Sequence, residues 1–193
     1  AFTARYPHLR FDNRSGNYRT LSAGLNRQDI PYFVSNHLPG EDAQWAAPIA
    51  NDGLVVITHT DNYVAELNTD QLRRIYQGFV TNWRQVGGPD AVITVLSRED
   101  GSGTRAEFER LVMGNRRTTA NAQVVPSGNA MKRRVSELPG SIGYLPFSHL
   151  DNSTRTMAIN GIQPSQSSIY SSSYPLRMTI FVIGLQEPQN DYR

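Results

Sequence analysis

Three stretches of this chain are almost continuously apolar: GLVVITH at 53–59, AVITVLSR at 91–98 and SIGYLPF at 141–147. A strand with one wet face alternates apolar and polar residues, whereas an unbroken run belongs to a strand buried on both faces. Helical patterns lie between these runs. NTDQLRRIYQGFVTNW has Asn68 or Thr69 as its cap, Leu72 and Ile75 facing inward and Gly78 as its stop. GTRAEFERLVMG places Phe108, Leu111 and Val112 on one side, and NAMKRRVSELPG ends in Pro-Gly. Strands alternating with helices predict an α/β fold with a mixed, mainly parallel sheet and flanking helices.

The flanks fit the same pattern. AFTARYPHLRF reads as a helix end, a turn and a short strand; NRSGNYRTLSAGLNRQDI as a loop and a weak helix carrying Leu21 and Leu25; IPYFVSN as a strand. AQVVP, RTMAIN and YPLRMTIFVIG supply further strands around the serine-rich SSIYSSSY loop. No period repeats. Trp45 and Trp83 read as packing residues near turns.

Several chemistries are set aside by what the chain contains. It has no cysteine, which excludes disulfides, thiol catalysis and zinc–thiolate sites. His8, His37, His59 and His149 show no metal-ligand spacing, and each reads as a surface or loop residue, though His37 could edge a cleft beside Asn36. Nineteen basic residues stand against 17 acidic ones, and KRR at 132–134 and RR at 116–117 lack the aromatic interleaving that nucleic-acid binding needs. No run approaches the roughly 20 apolar residues that span a bilayer.

The segment SREDGSGTRAEFERLV follows a buried strand and opens a helix. Ser102, Gly103 and Thr104 therefore stand where the first helical amides lack intrahelical partners. Two readings are open from the spacing. Ser102 or Thr104 is a plain N-cap with glycines making the turn, or the loop is an anion socket built from free amides, hydroxyls and the forked Arg98. Glu99 or Asp100 then anchors Arg98 or the loop. Ser127, Gly128 and Asn129 begin a second helix that either caps itself or joins the same cleft. The loop is neither a Walker A sequence nor a serine-hydrolase elbow.

REDGSGTRAEF resembles the signature of the periplasmic phosphate-binding proteins that feed ABC transporters. The resemblance continues, in order, through APIANDGLVVITH, TDQLRRIYQGFVTNWRQVGG, VVPSGNAMKRRVSELPGSIGYL and YPLRMTIFVI, and so spans most of residues 45–183. It implies a two-lobed type II periplasmic-binding-protein fold, with residues 1–57 and 174–193 in a first lobe and 58–173 in a second. It also implies a ligand set of Arg98, Ser102, Gly103 and Thr104, opposed by Ser35 and Asn36, with Ser15 in a further loop. The family's first strand and its C-terminal helix have no counterpart in this sequence, so the first lobe is expected to be incomplete.

The resemblance further implies a non-catalytic receptor, located outside the cytoplasm, that needs no cofactor or metal and docks on a membrane permease without entering the bilayer. Its ligand is an inorganic oxyanion, phosphate first. The family usually has aspartate where Asn36 stands; an aspartate accepts the proton of phosphate and repels sulfate, whereas an amide imposes no such choice. The alternative is a sensor or scaffold of the same fold with weakened or altered oxyanion binding.

Overall fold

The computed structural model describes residues 14–38 and 45–189. The elements expected in AFTARYPHLRF lie outside these residues. Helix α1 (Tyr18–Asn26) is capped by Asn17, whose side chain accepts from the Thr20 amide, and it leads to strand β1 (Tyr32–Ser35). Strand β2 (Trp45–Thr58) is twice the length of the run expected at 53–59, because residues 45–52 pair as well.

Strand β3 (Glu66–Leu67) precedes helix α2 (Thr69–Gln77). Asn68 and Gln71 close a capping box on α2, and Gly78 ends it at φ +81°, as the sequence predicts. A 3₁₀ turn at Trp83–Val86 leads to strand β4 (Thr94–Arg98) and helix α3 (Gly103–Phe108), which runs on as a π-helical turn to Met113. Then come β5 (Gln123–Val125), α4 (Gly128–Glu137), β6 (Ser141–Pro146), β7 (Arg155–Thr156), β8 (Ala158–Ile159), α5 (Gln166–Tyr170) and β9 (Arg177–Gly184).

Among the described residues one sheet has the order β1-β9-β2-β6-β4-β5, with β7 beside β2. The first half of β2 pairs antiparallel with β9, and the register shifts between Pro48 and Ala50, where proline offers no amide to the ladder. Its second half, Leu54–Thr58, is buried between β6 and β7. The α/β class and the mixed sheet stand as expected, but the parallel majority does not. Parallel pairing joins β4 to β5 and β6, and β3 to β8, while every partner of β2 and β9 runs antiparallel. Strand β2 pairs with β9 along its first half and with β6 and β7 along its second, so its neighbours on both halves are set by its direction rather than by βαβ crossovers.

Apolar burial follows this division. Leu25, Phe33 and Ile183 form a small core under α1, and a far larger one gathers Leu54, Val56, Leu72, Ile75, Trp83, Phe108 and Tyr144. Between them, where β1, the middle of β2, the end of β4 and the start of α3 come together, a cleft of about 350 Å³ opens.

Candidate anion site

The floor of the cleft comes from β4 and the loop that leads from it into α3. Arg98 ends β4 and is 8% exposed. Its Nε and Nη2 donate to Glu99 at 2.8 and 3.0 Å, which uses two of the five donors of a guanidinium. The Arg98 amide donates to the Tyr144 hydroxyl at 3.2 Å, and that hydroxyl is 3.0 Å from Ser97 Oγ. Burial pushes Tyr144 above its ordinary pKa, against the lowering effect of those hydrogen bonds, so it stays a neutral phenol pinning the strand end. Phe108 lies flat on Tyr144 with centroids 4.1 Å apart, which fixes α3 over the same strand.

That packing aims the start of α3 at the cleft. Ser102 is the N-cap, and its Oγ accepts from the Arg105 amide at 3.3 Å. Ser102 thus caps the helix, and Gly103 and Thr104, whose amides have no intrahelical partner, line the cleft, an arrangement with which the socket reading is compatible. A helix start of this kind carries partial positive charge and attracts anions.

The opposite wall is brought close. Asn36 Nδ2 donates to Thr104 Oγ1 at 3.1 Å, and Ser35 Oγ accepts from the His37 amide at 3.0 Å. A methyl group added at Gly103 would lie 2.9 Å from Asn36 Oδ1 and 3.1 Å from His37 Cβ, so only glycine allows this approach without a shift. The Arg19 amide bonds Gly101 O at 3.2 Å, and Arg19 pairs with Asp100 at 2.8 Å on the exposed rim.

A second link joins the walls behind the cleft. His37 Nδ1–H donates to Glu107 Oε1 at 2.9 Å, while Arg110 holds Glu107 Oε2. Burial alone acts to raise the Glu107 pKa and is the largest single influence. The hydrogen bonds from His37 and Arg110 together outweigh it and hold the carboxyl below its usual 4.5. A carboxyl depressed by folding adds stability above its unfolded pKa and loses it as the pH falls through its folded value. Glu107→Gln is therefore expected to melt below the native chain at pH 7, with the gap closing as the pH falls below 4.5. Thermal unfolding from pH 7 to 3 checks this; a gap constant across that range would mean the carboxylate charge contributes nothing.

Six of the seven residues named from sequence line this cleft: Arg98, Ser102, Gly103, Thr104, Ser35 and Asn36. Ser15 does not join them; it lies in a neighbouring depression with Arg14 and Ile30, and its place is taken by Gly16, Asn17 and Tyr18. The difference is a shift of one or two residues in a loop. Glu99 anchors Arg98 as the sequence suggests, and Gly128, at the start of α4, reaches the cleft.

The sequence reading missed Asp52, Ser148 and His149, which line the far side. Asp52 stands just before the apolar run of β2, but nothing in the sequence marks it as facing the cleft. Ser148 and His149 carry no signal either, since their placement depends on the turn after β6. Among the described residues no group of three metal-ligating side chains occurs.

A family model described as a PBP superfamily domain matches residues 33–192. The phosphate-binding protein PstS of Bacillus subtilis (strain 168) is 33% identical over 129 residues, 66% of this chain and 43% of that protein. PstS of Borreliella burgdorferi is 28% identical over 145 residues, 52% of its length, so the chain spans about half of the curated relatives it matches. A Clostridium perfringens protein assigned as a phosphate ABC transporter substrate-binding protein, solved with bound phosphate, is similar at a TM-score of 0.91. Its identity is 29%, with 99% of this chain and 81% of that one covered.

Proposed function

The chain belongs to the PBP superfamily, and from that premise we propose that it binds an inorganic tetrahedral oxyanion, phosphate first, between its two walls. In this reading it is the solute-binding part of an ABC uptake system. It works outside the cytoplasm, presents its closed form to a membrane permease and performs no chemistry on its ligand. Among the described residues no helix is long and apolar enough to cross a membrane. We place the division between the lobes where β2 changes partners, near Asp52, rather than at residues 57 and 174, because Leu54, Val56, Tyr174 and Leu176 pack in the larger core with Leu72 and Phe108.

One observation carries the reading. A nearly buried arginine, two hydroxyls and the free amides of a helix start open on one cleft, faced by Ser35 and Asn36. Charge-assisted donors in such a setting hold an anion more strongly than neutral pairs do. The relatives whose names and bound ligand specify phosphate support the choice of anion.

Isothermal titration with phosphate, sulfate, molybdate and a sugar phosphate tests it. Binding of phosphate is expected, at micromolar levels or tighter. No heat with any oxyanion would end the receptor reading, and turnover of the phosphoester would replace it with an enzymatic one.

A further inference from the structure

We propose that the cleft holds a phosphate ester as well as a free oxyanion, with the phosphoryl group at Arg98 and a short hydroxylated tail against Asp52 and Gly128. The proposal rests on the oxyanion reading above and adds a second class of ligand to the same site. Its first ground is the size of the cleft, about 350 Å³. A tetrahedral anion is four oxygens, each about as large as a water molecule, and takes up on the order of 100 Å³. Closure of the lobes does not remove the difference, because the walls already meet. Asn36 bonds Thr104, His37 bonds Glu107, and the Arg19 amide bonds Gly101 O.

The second ground is the chemistry of the end away from Arg98. Asp52 is 8% exposed there. Its Oδ1 accepts from the Gly53 amide at 2.7 Å and the Ser148 amide at 3.3 Å, and its Oδ2 accepts from Ser148 Oγ at 2.7 Å. A carboxylate has about four acceptor positions, so roughly one on Oδ2 is left for a ligand. His149 continues this wall onto α4. A side chain at Gly128 would meet His149 Nδ1 at 2.7 Å, so the ring lies directly against the helix start. The Gly128 amide, first after the Ser127 cap, has no intrahelical partner. This end therefore offers an acceptor and a donor, the pair that a hydroxyl uses.

Leu21, Val34, Pro146 and Ile180 also line the cleft. An inorganic anion gains nothing from apolar side chains, whereas a carbon chain does. One small molecule reaches both ends. Asp52 faces Met178 across a strand spacing of about 5 Å, and the Met178 sulfur lies 3.7 Å from Asn36 Nδ2. A second anionic group in the tail is disfavoured, because it would face the Asp52 carboxylate, whose three donors are all neutral. A short neutral polyol tail meets every one of these conditions, and glycerol 3-phosphate is a simple example.

Titration of the native chain and of Asp52→Asn with inorganic phosphate, glycerol 3-phosphate and ethyl phosphate tests this. Ethyl phosphate carries a carbon chain without hydroxyls. The native chain is expected to bind glycerol 3-phosphate at least as tightly as inorganic phosphate. It should also bind it at least about tenfold more tightly than ethyl phosphate, the worth of a hydrogen bond to a carboxylate. In Asp52→Asn that margin should shrink to within about threefold, because a neutral amide oxygen is the weaker acceptor.

A native chain that binds phosphate but holds glycerol 3-phosphate more weakly, or without that margin over ethyl phosphate, overturns the proposal and leaves the receptor reading intact. A folded Asp52→Asn chain that keeps the native margin also overturns it, since the hydroxyls are then read elsewhere. The native comparison decides alone if the variant melts early. A native chain that binds neither an oxyanion nor an ester removes both readings.

Discussion

Arg98→Ala is expected to weaken phosphate binding by about a thousandfold while leaving the chain folded. Removing one partner of a buried, hydrogen-bonded charge pair costs about 2–5 kcal/mol, and each 1.4 kcal/mol is about tenfold in affinity. Arg98 falls in the upper part of that range for two reasons. Its guanidinium supplies the formal positive charge on the floor of the cleft, in a setting only 8% exposed, where solvent screens little. Its loss also leaves Glu99, bonded to it at 2.8 and 3.0 Å, as an unbalanced negative charge next to the ligand.

Arg98→Lys separates charge from geometry. It keeps the charge but not the fork, and should recover only part of the loss. Titration measures all three chains, with unfolding midpoints as the control. An alanine variant within about threefold of native affinity would show that Arg98 serves the loop and not the anion.

The parts of the site that sequence made legible are those that are contiguous. Arg98 through Phe108 form one strand, loop and helix, so local rules place the arginine, the cap and the free amides together before any tertiary contact is known. The buried halves of β2, β4 and β6 were legible for a similar reason, since their apolar runs state that both faces are covered. Asp52 was not legible as a site residue because its company is assembled from afar. Ser148 comes from the turn after β6, Met178 from β9 and Asn36 from the end of β1, and only the pairing of β2 with β9 and β6 brings them into range.

Two further differences have equally local causes. Ser15 misses the cleft because α1 begins at Tyr18 under an Asn17 cap, which turns Gly16 and Asn17 inward instead. The first half of β2, WAAPIAND, is mostly apolar in sequence yet half-buried or exposed up to Asn51, and it pairs with β9 without the alternation that would announce a strand. Strand pairing there satisfies backbone groups at the boundary between the two cores, and side-chain pattern is a poor guide where neither face is uniformly buried.

Trp83→Ala is expected to cost about 3–5 kcal/mol of stability, the range for deleting a large buried aromatic side chain. The sequence marks Trp83 as a packing residue near a turn, and the structure gives it more to do. It is fully buried in the larger core and starts the 3₁₀ turn held by Asn82 and Gly87. Its indole N–H donates to Gly140 O at 2.8 Å, and that carbonyl also accepts from the Thr94 amide at 3.2 Å.

Gly140 adopts φ +80° and enters β6, whose first residue, Ser141, pairs with Thr94 of β4. Trp83 thus clamps the near ends of the two strands whose far portions carry Arg98 and Tyr144. Trp83→Phe keeps most of the volume and loses the N–H, so it should cost about 1–2 kcal/mol. For a chain of this size the alanine variant should melt on the order of 10 °C lower. Phosphate affinity, measured well below that transition, should fall in the same order as the stabilities if the clamp sets the strand ends. Equal affinities across the three chains would confine Trp83 to packing, with the register of β4 and β6 secured by their own ladder.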